Sequence, residues 1–173
     1  DSERVMGYQL IETIEVGSGG AASMEFTGIA GTGQDLVCVV SNRGSTNTYS
    51  AGVQLNSETS SSYYSGVDVQ GDGSSASSSA FVPGYTSPIF QNRADTTVNT
   101  FASSQIYISN YTSSTDKTIS VESISENNGT TLGYQRFLAW SFSTSSAITN
   151  LKLVANSGVF VEFTTSSLYM VTA

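Results

Sequence analysis

The chain has 173 residues, with 14 acidic against 6 basic, no histidine and a formal net charge of −8. That balance repels phosphate backbones and anionic lipid headgroups, and the missing imidazole removes the commonest acid–base and metal-binding side chain. Hydrophobic residues make up 38%, with 9 Tyr and 8 Phe spread along the chain, so a Ser/Thr content of roughly three residues in ten does not place it among disordered sequences.

From residue 8 to residue 172 one pattern recurs: a short run of apolar β-formers, then a break rich in Ser, Thr, Gly, Asn or Asp. Residues 8–16 open it as a strand with Leu10, Ile14 and Val16 on one face and Glu12 among them, ended by Gly17-Ser18-Gly19-Gly20. Met24-Glu25-Phe26-Thr27 alternates cleanly and closes at Gly28. Residues 35–40 are continuously apolar and predict a central strand buried on both faces. Strands follow at 51–55 and 63–69. Residues 71–79 read as a low-complexity loop, and Pro83 and Pro88 mark an irregular stretch or a sheet edge.

The second half is more regular. Residues 105–108 alternate, and 117–124 form a strand with Ile119 and Val121 facing one way. Glu126-Asn127-Asn128-Gly129 is a hairpin signal, because Asn-Gly accepts the positive φ of a tight turn. Residues 134–142 then place Leu138, Trp140 and Phe142 on one face. Strands at 148–154, 159–163 and 168–171 finish the series, with breaks at 156–158 and 164–166. The expectation is an all-β protein: a two-sheet antiparallel β-sandwich of jelly-roll type, with about 8–11 short strands and little or no helix. Residues 8–173 form a single domain with an irregular insertion around 70–100. Residues 1–7 are an N-terminal arm or foreign to the native chain, with Met6 as a candidate start. No apolar run approaches the length needed to cross a bilayer, and no signal-peptide core opens the chain, which predicts a soluble protein.

Signals for chemistry are sparse. Without histidine a Ser-His-Asp arrangement is excluded, and Ser-Lys variants have Lys117 and Lys152 to draw on, neither in a nucleophile motif. Two carboxylate pairs are candidates for glycoside cleavage, Asp68 with Asp72 and Glu122 with Glu126. The first sits in a Gly-rich turn, where Asp supports backbone geometry; the second straddles a strand end. Residues 68–73 carry oxygen ligands at short spacing but lack the ligand series of a calcium loop. Cys38, the single cysteine, lies inside an apolar run and reads as a buried, inert thiol. The Gly-rich turns at 17–20 and 31–33 precede no helix and are not phosphate cradles. Asn110-Tyr111-Thr112 and Asn128-Gly129-Thr130 match the glycosylation pattern. Tyr49, Tyr63, Tyr64, Tyr85 and Tyr111 lie beside loops, where they anchor a protein or sugar surface or cover core edges. The expectation is no enzyme, and no catalytic, cofactor-binding or metal residue is assigned.

Several segments resemble a family of small virion structural proteins of tailed bacteriophages. The residues that carry the resemblance are Tyr8-Gln9-Leu10-Ile11-Glu12-Thr13-Ile14-Glu15-Val16-Gly17-Ser18-Gly19-Gly20-Ala21, Met24-Glu25-Phe26-Thr27-Gly28-Ile29, Gln105-Ile106-Tyr107-Ile108-Ser109-Asn110-Tyr111 with the preceding 100–104, residues 120–128, and residues 160–169. The resemblance implies a β-sandwich component of the particle, a trimer, most simply a decoration or cement protein on the outer surface of the assembled head. Its implied partners are the major capsid protein and copies of itself, with no nucleic acid, membrane or cofactor. The alternative it leaves open is a receptor- or glycan-binding tip of a tail or head fibre, whose partner is a host-surface glycan.

Overall fold

Residues that alternate between apolar and polar become strands with one buried and one outward side, and two segments do so without a break. Ile119, Val121 and Ser123 turn inward from one, and Arg136, Leu138, Trp140 and Phe142 from the other. The computed structural model describes residues 7–81, 86–126 and 133–172, in which twelve strands and one short 3₁₀ turn (Ser61–Tyr63) occur. The strands are β1 (Gly7–Glu15), β2 (Ser23–Thr27), β3 (Asp35–Asn42), β4 (Ser50–Leu55), β5 (Tyr64–Gly71), β6 (Ala76–Phe81), β7 (Ile89–Phe90), β8 (Ala102–Ile108), β9 (Lys117–Ser125), β10 (Tyr134–Phe142), β11 (Asn150–Ala155) and β12 (Thr165–Thr172). No helix among the described residues is long and apolar enough to cross a membrane.

The strands form two antiparallel sheets packed as a sandwich. The large sheet has eight strands in the order β1-β12-β3-β8-β9-β10-β5-β6, and the small sheet four, in the order β2-β11-β4-β7. Pairing is nested: β1 with β12, β2 with β11, β3 with β8 and β4 with β7. Two further hairpins, β5–β6 and β9–β10, extend the large sheet beyond β8. Between the sheets lies one apolar core. Leu36, Cys38, Ile106, Val121 and Leu168 come to it from the large sheet, and Met24, Phe26, Val53, Leu151 and Leu153 from the small one. Tyr64 stacks on Trp140 at 5.0 Å and on Phe142 at 4.9 Å between ring centroids. Trp140 faces Gly66 across the ladder, where a side chain would lie 2.7 Å from the Ala139 carbonyl oxygen.

Several sequence expectations change. A bulge between Leu10 and Glu12 makes Ile11 an extra residue, which reverses the alternation of β1. Leu10 therefore pairs with Tyr169 on the outer face, while Val16 is buried with the core. In the run at 35–40, Val39 faces out and is 42% exposed, so β3 is not covered on both sides throughout. The expected loop at 71–79 holds the first residues of β6, which hydrogen-bonds to β5. Residues 159–163 form no strand. Phe160 makes isolated bridges to Ala21 and Gly44, and Phe163 turns the chain with a φ of 67°. Thr165 and Ser166 of the expected break at 164–166 instead open β12. Pro83, Gly84, Tyr85, the Asn127-Asn128-Gly129 turn, the Asn128-Gly129-Thr130 pattern and residues 1–6 lie outside the described residues. The strands that flank the Asn-Gly signal are nonetheless paired, Ser125 opposite Tyr134.

Buried polar side chains fix the loops. Among the described residues no acid forms an ion pair with the buried Arg43. Its guanidinium donates to the carbonyls of Ala94, Thr96, Thr97 and Thr100 and so holds the segment after β7 in place. Lys117 is wholly buried and donates to the carbonyls of Ser113 and Thr115, and burial lowers its pKa against the opposing pull of Asp116.

Candidate functional site

The candidate acid pairs do not come together as catalytic dyads. Asp68 points into the sandwich from β5, 1% exposed, with its Oδ1 3.2 Å from Arg136 Nε but out of line for a hydrogen bond. Burial raises its pKa, opposed by the Arg136 charge. Asp72 instead caps the β5–β6 turn, where its Oδ1 accepts from the backbone N–H and the hydroxyl of both Ser74 and Ser75. Those bonds favour the ionised form and hold the carboxyl down to about 2. Glu122 lies on the outward face of β9. Glu126 lies beyond the end of β9 and accepts from the Thr97 backbone N–H and hydroxyl. Four residues of extended chain separate their Cα atoms by about 13 Å, and both Glu126 carboxylate oxygens are committed to Thr97.

Cys38 is buried, its Sγ 3.2 Å from Ser166 Oγ, and burial pushes the thiol up to about 12, so it is not a nucleophile at neutral pH. Lys152 pairs at 3.7 Å with Glu25 across the small sheet. Among the described residues no three His, Cys, Asp or Glu side chains converge to hold a metal ion. Of the loop tyrosines, Tyr64 and Tyr111 are fully buried rather than surface anchors. Tyr64 donates to the Glu58 carbonyl and accepts from the Leu55 N–H, and Tyr111 donates to the Ala30 carbonyl. Tyr49 and Tyr63 remain about half exposed, at 51% and 46%.

Two surface features stand out. The first is the outward face of the large sheet. Register places Val39, Gln105, Glu122, Phe137 and Val69 in one row across it, and Tyr107, Ser120, Ala139 and Val67 in the next. Val67, Val69, Ile124 and Phe137 are each 42–54% exposed on this face. Such residues are common on strands but unusual on the wet side of a soluble sheet, where alternation ordinarily supplies polar side chains. The second is a cleft of about 320 Å³ where the end of β5 and the start of β10 meet the β4–β7 edge of the small sheet. Tyr49, Phe90 and Tyr134 form its aromatic side, with ring centroids 6.0 to 6.5 Å apart. Gln70, Asp72 and Arg93 form its polar side. Arg136 lies over the Phe90 ring at 4.3 Å and donates to Gln70 Oε1 at 3.2 Å, so the buried ion pair braces this cleft.

Sequence reading finds Tyr49 and Asp72 individually but not the cleft, because its residues come from four separate segments. Neither protein-family models, nor curated proteins, nor solved structures yield a match to this chain.

Proposed function

We propose that this protein is a non-enzymatic structural component of a tailed-bacteriophage virion: a decoration protein that binds the outer surface of the assembled head and stabilises it, as a trimer. The observation that carries the reading is the apolar outward face of the large sheet. Eight strands at about 4.8 Å spacing give a face about 34 Å wide, enough for the roughly 800 Å² per partner of a stable contact. Val67, Val69 and Phe137, on β5 and β10 toward the β6 side of the face, supply apolar anchors, and Gln105, Ser120 and Glu122 supply polar groups beside them. The nested pairing of β1 with β12, β2 with β11, β3 with β8 and β4 with β7 supports reading the winding as a jelly roll, an architecture of viral shells and of lectins. The setting comes from the resemblance over residues 8–21, 24–29, 100–111, 120–128 and 160–169.

A protein of this kind binds the assembled shell and not the free subunit, and shifts the assembly equilibrium by that difference. The test is reconstitution of purified shells that lack it. Saturable binding at many copies per particle, absent with unassembled capsid protein, is the expected result. Phe137→Glu is expected to weaken it at least tenfold, because a desolvated carboxylate replaces an apolar anchor. A few copies per particle, or shells that bind Phe137→Glu as tightly as the native protein, would overturn the proposal.

A further inference from the structure

We propose that the cleft between Tyr49, Phe90 and Tyr134 is a carbohydrate site that takes an uncharged pyranose unit. The inference is independent of the location of the protein in a particle. A pyranose presents C–H groups on the faces of its ring and hydroxyls around its rim, so its site needs an aromatic ring for a face and hydrogen-bonding groups around the edge. Tyr49 offers such a ring: it is 51% exposed and is held in orientation by Phe90 at 6.0 Å and Tyr134 at 6.5 Å. The negative face of a tyrosine ring attracts the slightly positive C–H groups of the sugar.

The rim groups are present and partly uncommitted. All four donors of the β5–β6 turn converge on Asp72 Oδ1, which leaves Oδ2 to accept from a pair of sugar hydroxyls. Gln70 uses its Oε1 on Arg136, which leaves its amide N–H groups to donate. At about 320 Å³ the cleft is at the small end of ligand sites, which begin near 300 Å³. That volume suits one or two sugar rings. An apolar ligand would take water from Asp72 Oδ2 and the Gln70 amide and give them no partner in return. An acidic sugar would meet the Asp72 carboxylate, which stays ionised down to about pH 2, and among the described residues the cation lining the cleft, Arg93, is already paired with Asp95 at 3.0 Å. Charge therefore selects a neutral sugar.

Saturation-transfer NMR on the full chain tests this, with the methyl pyranosides of glucose, galactose, mannose and N-acetylglucosamine, and a methyl sialoside as the anionic probe. At least one neutral pyranoside is expected to receive saturation, strongest on its axial C–H protons, and the sialoside none. Tyr49→Ala is expected to weaken that binding at least about fivefold, since it removes the stacking ring. Asp72→Asn keeps an oxygen for the Ser74–Ser75 turn and is expected to weaken the neutral sugar and admit the sialoside. Both variants are read alongside an unchanged amide spectrum, and Leu10→Ser, exposed on β1 at the far edge of the large sheet, serves as the control that binds normally. No transfer to any neutral pyranoside, a preference for the sialoside by the native protein, or equal binding by Tyr49→Ala would overturn the assignment.

Discussion

Arg136 is the residue on which the inserted hairpins turn. Its guanidinium faces Asp68 at 3.2 Å, donates to the Ser87 carbonyl and to Gln70, and covers Phe90. Removing it as Arg136→Ala leaves a carboxylate buried without its cation, and the expected loss is about 3–5 kcal/mol. Replacing both partners, as Arg136→Met with Asp68→Leu, is expected to recover most of that loss in urea titrations. The pH dependence carries a sign. Because burial raises the Asp68 pKa in the folded chain, the native state binds this proton more tightly than the unfolded one. The contribution of Asp68 is therefore most favourable at low pH, and stability falls as pH rises from the ordinary carboxylate range through the raised value. Thermal melts of native protein against Asp68→Asn across that range are expected to show the native protein losing ground as pH rises; parallel curves would refute the assignment. The pair is not legible in the sequence: period two puts Arg136 on the face of Leu138, Trp140 and Phe142, but Asp68 reads as a turn residue until the β5–β10 register brings the two together.

At the scale of elements, Gly66 on β5 marks where the extension meets the core. A Cβ at this position would sit 2.7 Å from the Ala139 carbonyl oxygen and 3.2 Å from the Trp140 ring, so Gly66→Ala forces the β5–β10 ladder apart. The expected cost is about 1–3 kcal/mol, measured as a lower urea midpoint at unchanged slope. Elements were unequally readable for the same physical reason. The bounds of β10 follow from the sequence because one face of it meets a core and the other meets water, which imposes the period of two. β6 reads as a loop because an edge strand of Ala and Ser lacks the apolar alternation that a core-facing strand needs. Residues 159–163 have the composition of a strand, yet Phe160 finds only single bridges, and its burial rather than a ladder explains the apolar residue. The bulge at Ile11 leaves no trace in composition, so the face of Leu10 is misjudged by one residue.

At the scale of the whole molecule, the sandwich presents two surfaces of different chemistry: a broad apolar sheet face and a small mixed cleft at the sheet junction. They are expected to separate in mutagenesis. Val69→Lys should impair binding to shells and leave sugar binding unchanged, whereas Tyr49→Ala should do the reverse, and a variant that lost both would mean that the two surfaces are coupled through the fold. Composition and alternation suffice for the all-β class. The cleft escapes them because Tyr49, Gln70, Phe90 and Tyr134 meet only after β4, β5, β7 and β10 have found their partners.

Gly7 pairs with Thr172, and Glu15 with Thr165, so the first strand waits for the last. A ribosome releasing this chain exposes β1, β2 and β3 long before β12 and β11 emerge to complete their ladders. Folding of these ladders is thereby deferred until β12 has been made, and refolding in vitro is expected in the millisecond-to-second range of proteins built from distant pairings. Deleting residues 165–172 removes the strand between β1 and β3, and the shortened chain is expected to show no cooperative melt.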